Sequence, residues 1–170
     1  MSYTTRAPRE GELNGREYHF VDTQKFETML EAGEFLESAL VHGNYYGTSQ
    51  AWIAAQRTDG HDILLEIDWQ GAAQVRDRLP EAIDIFILPP SREALEQRLR
   101  GRGTDSEEVI QRRLRDSVTE LSRWGDFRYV VVNEHFDRAL ADLQHIVAGD
   151  AEPFRSTRPD LDGLTARLIG

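Results

Sequence analysis

The chain has 170 residues, of which 39% are hydrophobic, which is enough for a compact domain with a real core and too many for a disordered segment. Its formal net charge of -10 disfavours binding to nucleic acid or to an anionic membrane, and the lack of cysteine excludes disulfides, thiolate catalysis and thiolate metal sites. No apolar run approaches the length of a membrane span and no signal peptide precedes the first motif, so a cytoplasmic protein is expected.

The first third of the chain is rich in turn signals between short runs. Residues 17–21 alternate as a short strand would. Residues 23–33 have the apolar spacing of a helix that ends at Gly33, and residues 51–58 predict another short helix, ended at Gly60.

After residue 60 the pattern changes to apolar runs that alternate with helical segments. Strands are predicted over 62–68, 83–90 and 129–133, and helices over 71–79, 92–100, 107–124 and 136–147. Unbroken apolar strands separated by helices indicate a parallel sheet covered on both faces, so the predicted fold class is α/β. Asp105 and Glu108 fit a capping box before the long helix, and a weak helix over 161–168 ends a polar tail.

Arg6 and Arg9 are the first candidate site residues. Pro8 fixes the backbone between them, so two guanidinium groups project from a stiff turn. That arrangement suits a phosphate clamp, because guanidinium binds phosphate oxygens in pairs. A solvated basic turn explains the same residues about equally well.

Glu37 is a candidate for reading a base. Guanine presents two parallel donors, its ring N1–H and its exocyclic amine, and one carboxylate accepts both, whereas adenine offers no such pair. The alternative for Glu37 is an exposed acid at a helix end. Tyr18, Tyr45 and Tyr46 either give hydroxyls to a phosphate or pack, and Thr48 either reaches the base or caps the next helix.

Glu66 and Asp68 end the predicted strand over 62–68. Two residues apart on a strand, they are expected to point to one face at its carboxyl end, where ligands of open α/β sheets bind. Charges after an apolar run are costly unless they are paired, which favours a functional role. Asp68 is expected near Mg²⁺ or an arginine, and Glu66 near an acceptor nucleotide.

Arginines are concentrated within residues 98–115, next to Gly101 and Gly103. They are Arg98, Arg100, Arg102, Arg112, Arg113 and Arg115. A hinged arm that carries arginines suits phosphoryl transfer, although a plain helix–loop–helix with solvated charges fits as well. No G-x-x-x-x-G-K-S/T phosphate loop occurs in the sequence, whose only lysine is Lys25.

Taken together, these motifs closely resemble the guanylate kinase family over about residues 2–147. The resemblance rests on S-x-T-T-R-x-P-R-x-G-E over 2–12, G-N-Y-Y-G-T over 43–48 and E-I-D-W-Q-G over 66–71, and continues through 89–91, 98–103 and 130–133. It implies transfer of the terminal phosphate of ATP onto GMP with Mg²⁺, and therefore GMP and ATP as partners, with no nucleic acid or membrane partner. It leaves homo-oligomerisation open.

The resemblance also implies a role for each matching residue. Guanine would be read by Ser2, Glu37 and Thr48, and the GMP phosphate would be held by Arg6, Arg9, Tyr18 and Tyr46. Glu12 would brace the two arginines, Glu66 would line the GMP site, and Asp68 would act near the metal and the phosphates; no protein residue is assigned as a direct metal ligand. The transferring phosphoryl group would be closed over by Arg98, Arg102 and Arg113, with Asn133 near the ATP base.

The same resemblance predicts a domain organisation. It places a GMP-binding lobe at 1–58, α/β core at 59–95 and 117–148, an arginine-rich lid at 96–116 and a tail at 149–170. Family members carry a strand, the phosphate loop and a helix upstream of the first motif. We therefore expect a truncated version of a complete enzyme, poorly active alone; the alternative is an inactive GMP- or protein-binding module.

Overall fold

The computed structural model describes residues 1–101, 103 and 106–170, which divide into an N-terminal unit, Met1–Ala82, and a C-terminal unit, Ile83–Gly170. The N-terminal unit contains β1 (Ser2–Thr4), β2 (His19–Phe20), α1 (Thr23–Glu31), β3 (Phe35–Val41), β4 (Asn44–Ser49), α2 (Gln50–Thr58) and α3 (Trp69–Arg78). The C-terminal unit contains β5 (Ile85–Leu88), α4 (Arg92–Gly101), α5 (Glu107–Leu121), β6 (Tyr129–Val132), α6 (Phe136–Ala148) and α7 (Leu161–Ile169), with short 3₁₀ turns at Trp124–Asp126 and Glu152–Phe154.

The N-terminal unit is built on a four-stranded sheet in the order β2-β1-β4-β3. Strands β3 and β4 form an antiparallel hairpin, which the sequence pattern did not predict. Its two-residue turn is His42-Gly43, and both residues have positive φ, as the tight hairpin turn that matches strand twist requires. One face of the sheet packs Tyr3 and Tyr45 against the buried Phe26 and Phe35. The neighbouring side chains of β1 and β4 point to the opposite face.

Residues 62–68 do not form the predicted strand. Ile63, Leu65 and Ile67 pack on a cluster of Leu36, Ile53 and Val75, while Leu64 between them is 86% exposed. The alternation of an extended chain is thus present, but no ladder of hydrogen bonds accompanies it among the described residues. A strand needs a neighbouring backbone to pair with as well as an apolar pattern. The prediction of a strand over 62–68 is therefore wrong.

The C-terminal unit contains the predicted parallel pair, with β5 beside β6 in register from Ile85↔Tyr129 to Leu88↔Val132. One face of the pair packs on α5 and α7 through Leu121, Leu161 and Leu168. The other face packs on α6. The chain segment 149–170, predicted as a tail, contributes two fully buried leucines to this core, and Arg158 donates a 2.7 Å hydrogen bond to the Val130 carbonyl of β6.

The α/β fold class is confirmed, and the predicted helices form within a few residues of their expected bounds. The long helix α5 begins at Glu107 with Ser106 as its N-cap and ends at Leu121, short of the predicted 124. Asp105, the expected cap, lies outside the described residues. The lobe, core, lid and tail boundaries stay predictions. In the part of the chain that is described, no helix is both long and apolar enough to cross a bilayer.

Candidate functional site

A row of polar side chains crosses the face of the N-terminal sheet that lies opposite Tyr3 and Tyr45. Ser2 of β1 pairs with Thr48 of β4, which pairs in turn with Glu37 of β3. Directly opposite residues of antiparallel strands place their side chains on one face, so these three lie side by side. The next row on the same face contains Thr4 and Tyr46. The three residues expected to read a base are therefore brought together.

Glu37 is the buried charge of this row, with 3% of its surface exposed. A β-bulge between Phe35 and Glu37 shifts the register of β3 there, a device that re-aims a side chain. The Thr48 hydroxyl donates a hydrogen bond to the Glu37 carboxylate, whereas α2 is capped by Ser49. Thr48 is thus not a helix cap. Burial, and then the nearby Asp68, raise the pKa of Glu37 in spite of the Thr48 hydrogen bond.

Gly71, in the first turn of α3, lies against the Glu37 carboxylate. A Cβ atom at this position would sit 2.5 Å from Glu37 Oε2 and 3.3 Å from the Ile67 Cβ. Real Cβ atoms do not come within 3.0 Å of such neighbours, so glycine is the residue that lets the helix approach this closely.

The row lines a cleft of about 190 Å³. A single water needs only about 10–15 Å³, so the cleft has room for a much larger ligand. The lining also includes Glu66 and Asp68, which therefore share one site although the segment before them is not a strand. Glu66 is exposed, whereas Asp68 caps α3 by accepting a 2.9 Å hydrogen bond from the Gly71 N–H.

Arg6 is held by a two-pronged ion pair. Its guanidinium donates hydrogen bonds of 3.0 and 2.9 Å to the two oxygens of Glu12, and Glu12 also accepts a 2.6 Å bond from the Arg9 backbone N–H. These bonds lower the pKa of Glu12 and raise that of Arg6. Glu12 thus braces Arg6 directly but touches Arg9 only at the backbone, and the Arg9 side chain is exposed.

Two tyrosines stand beside this ion pair. The Arg6 guanidinium carbon lies 5.8 Å from the centre of the Tyr18 ring, and the Tyr18 and Tyr46 rings meet edge to face at 6.0 Å. A hydrogen bond between Tyr46 and Arg6 adds to the raised pKa of Arg6. Partial burial, and then Tyr46, raise the pKa of the Tyr18 phenol, which therefore stays a neutral donor at physiological pH.

The candidate arginines of the C-terminal unit differ from one another in their contacts. Arg98 of α4 donates a 2.8 Å hydrogen bond to the Asn133 carbonyl, which ties this helix to the end of β6. Arg100 pairs with Glu96 and Glu107, and so links α4 to α5; this lowers the pKa of Glu107 to about 2. Arg113 lies half-buried on α5, and Arg102 lies outside the described residues.

A metal ion has few protein ligands available here. Among residues 1–101, 103 and 106–170, no group of three or more His, Asp or Glu side chains is arranged to hold one. Mg²⁺ is commonly bound through one or two carboxylates together with substrate phosphates, so Asp68 at the cleft fits a supporting role rather than a complete protein site.

The structure adds residues that the sequence patterns left without a role. Thr4 is fully buried and accepts a 3.1 Å hydrogen bond from the Arg6 N–H, while the Thr5 hydroxyl accepts one of 2.9 Å from the Tyr45 N–H. These bonds fix where Arg6 leaves the sheet. Two sequence signals could have identified such residues. They are the pair of threonines inside the S-x-T-T-R motif and the glycine that ends E-I-D-W-Q-G.

A mixed sheet presents a buried carboxylate and two hydroxyls to one cleft, and a braced arginine contacts two tyrosines of the cleft lining. This arrangement defines an α/β protein of the nucleotide-binding class. Residues 1–150 match the family model described as guanylate kinase. The chain is 54% identical over 169 residues to a guanylate kinase from Dechloromonas aromatica, covering 99% of this chain and 84% of that one, and 56% identical over 156 residues to one from Paraburkholderia xenovorans, covering 92% and 69%.

A solved structure gives the same result. The crystal structure of guanylate kinase from Anaplasma phagocytophilum is 34% identical, with a TM-score of 0.75, over 88% of this chain and 73% of that one. The chain belongs to the guanylate kinase family.

Proposed function

We propose that this protein binds GMP in the cleft of its N-terminal unit and phosphorylates it to GDP, with ATP as the phosphate donor and Mg²⁺. The observation that carries the proposal is the row Ser2–Thr48–Glu37, in which the buried carboxylate faces the cleft. Membership of the guanylate kinase family supports the same assignment.

Glu37 is suited to select guanine over adenine. Its carboxylate accepts hydrogen bonds only, and guanine offers N1–H and the 2-amine side by side. Adenine presents an N1 lone pair to the same carboxylate, which is repulsive. The Thr48 hydroxyl fixes one carboxylate oxygen, and Ser2 supplies a further hydroxyl to the same row.

Arg6, Arg9, Tyr18 and Tyr46 are suited to hold the phosphate. The Glu12 carboxylate orients the Arg6 guanidinium before any ligand arrives, so less conformational entropy is lost on binding. Tyr18 and Tyr46 add hydroxyl donors, and the exposed Arg9 adds a second positive charge. Glu66, on the lining of the same cleft, completes the proposed GMP contacts.

ATP is assigned to the C-terminal unit. Arg98 and Asn133 meet at the carboxyl end of the parallel pair β5–β6, and ligands of open α/β sheets bind at that edge. We assign the phosphate contacts to Arg98, Arg102 and Arg113, whose charge would offset the charge that develops on the transferring group. Mg²⁺ supplies Lewis-acid neutralisation of the phosphates, and Asp68 is the described carboxylate proposed to act near it.

Calorimetry on the purified chain tests the binding half. GMP is expected to bind and AMP to bind far more weakly. Glu37→Gln is expected to weaken GMP binding by about tenfold or more, because hydrogen bonds to a charged group are lost. Glu27→Gln, an exposed acid of α1, is the matched control and should leave affinity unchanged. Equal affinity for GMP and AMP would overturn the assignment.

GDP formation from GMP, ATP and Mg²⁺ tests the transfer half. Since the 170 residues contain no G-x-x-x-x-G-K-S/T motif, two proteins are compared: this chain, and the product translated with the codons upstream of Met1 included. GDP formed by either one supports the kinase. GMP binding with no GDP from either would instead favour a binding module.

A further inference from the structure

The strand that carries Glu37 lies at the edge of its sheet. The order β2-β1-β4-β3 leaves β3 paired on one side only, and the bulge between Phe35 and Glu37 interrupts even that pairing. Edge strands and bulges leave backbone groups without ladder partners, and such strands slip in register more readily. A carboxylate that must meet two donors at fixed positions therefore needs another source of rigidity.

Helix α3 supplies that rigidity through Gln74. The side-chain amide donates a 2.7 Å hydrogen bond to the Ser38 carbonyl and accepts one of 3.1 Å from the Ser38 N–H. The glutamine amide thus makes the two hydrogen bonds that the backbone of a neighbouring strand would make. It does so at Ser38, the residue directly after Glu37. Its own amide is held by a 3.3 Å contact to the Gln70 carbonyl within the helix.

Arg78, one helical turn further along α3, holds the other side of the bulge. Its guanidinium donates to the Phe35 carbonyl at 2.6 Å and to the Leu36 carbonyl. The backbone on both sides of Glu37 is therefore tied to the same helix whose Gly71 touches the carboxylate itself. Helix α3 therefore positions both the backbone and the side chain of Glu37.

We propose that Gln74, assisted by Arg78, is a positioning residue that sets the guanine selectivity of Glu37. The inference rests on the proposed recognition of GMP. Gln74 touches the strand rather than the ligand, so its effect reaches the base only through the location of the carboxylate. Displacements well below 1 Å are enough to spoil paired hydrogen bonds.

The test compares GMP with inosine monophosphate, which lacks the 2-amine and makes one bond fewer to the carboxylate. Gln74→Met keeps the side-chain length and removes both hydrogen bonds. We expect GMP affinity to fall on the order of tenfold and affinity for inosine monophosphate to fall less, so the preference between the two shrinks. A loss of general stability would lower both affinities in proportion and leave the preference intact.

Gln97→Met, the same change on an exposed position of α4, is the matched control and should alter neither affinity. Arg78→Met serves as the second variant, and it carries the test if circular dichroism shows Gln74→Met to be unfolded. An unchanged preference in the folded variants overturns the inference while the proposed function stands. Wild-type chain that binds neither nucleotide overturns the proposed function first.

Discussion

Replacing Gly71 with alanine should separate nucleotide recognition from stability. The new Cβ would lie 2.5 Å from Glu37 Oε2, whereas ordinary contacts begin near 3.4 Å, so the carboxylate must move by about 0.9 Å. The atom that must move is the end of a side chain, which can rotate away more easily than backbone can. The strain is therefore at the low end of the roughly 1–3 kcal/mol typical of overpacking, and the gain of up to about 1 kcal/mol from alanine in a helix offsets part of it.

The cost to binding should be larger. A hydrogen bond of about 2.9 Å that is lengthened by this amount no longer qualifies as one. Losing one bond to a charged group costs about 1.5–3 kcal/mol, which corresponds to a GMP Kd roughly 10- to 150-fold weaker. Calorimetry measures the Kd, and urea denaturation measures the free energy of unfolding, which should change by no more than about 1–2 kcal/mol.

Gly163→Ala provides the matched control. This exposed glycine of α7 would place its Cβ 3.6 Å from an Arg167 nitrogen, an ordinary contact. It should stabilise by up to about 1 kcal/mol and leave GMP affinity unchanged. If Gly71→Ala binds GMP as tightly as wild type, Glu37 does not read the base from its observed position. If Gly71→Ala unfolds the chain, the carboxylate does not move aside as expected.

Three further changes probe other parts of the molecule. GMP affinity should weaken as pH falls through the raised pKa of Glu37, because the protonated acid no longer accepts both donors, and calorimetry across pH should show this acid-side loss flattened in Glu37→Gln. Glu12→Gln should weaken the affinity for GMP several-fold in calorimetry but leave the affinity for guanosine, which has no phosphate for Arg6, unaffected; the free energy of unfolding should change little because the ion pair is partly exposed. Leu161→Ala, fully buried in the C-terminal core, should lower the free energy of unfolding by about 2–5 kcal/mol in urea denaturation.

The helices and the parallel pair were predictable because their apolar spacing serves packing alone. The hairpin over 35–49 was not, and the reason lies in its composition. Glu37, Thr48 and Tyr46 occupy positions on the cleft face that an apolar side chain would fill in an ordinary strand. The strand pattern is therefore lost where the proposed ligand contacts are, which is a general cost of placing a binding site on a sheet.

The sequence singled out the candidate ligand-binding residues of the site, but not the residues that hold them in place. Carboxylate, hydroxyl and guanidinium chemistry singled out Glu37 and Arg6 from their types and motifs. No local pattern connects Glu37 with Gly71 or Gln74, which lie more than thirty residues later and meet it only through the packing of α3 on β3. Supports of this kind follow from tertiary geometry, and hydrophobic periodicity does not carry that information.

The burial of Glu37 lowers the stability of the fold in the ionised state that the proposed function requires. A folded chain that raises the pKa of a carboxyl binds its proton more tightly than the unfolded chain does, so the free energy of unfolding falls as pH rises between the unfolded and folded pKa values. Above that window the folded protein carries the unfavourable charged form, which is the form that the proposed recognition of guanine needs. In the proposed complex the two donors of the base would satisfy a carboxylate that the fold leaves poorly solvated, so binding would remove a destabilisation that was present beforehand. An adenine in the same place would leave that charge buried and opposed. On this proposal that asymmetry, more than the number of contacts, would give one carboxylate its selectivity.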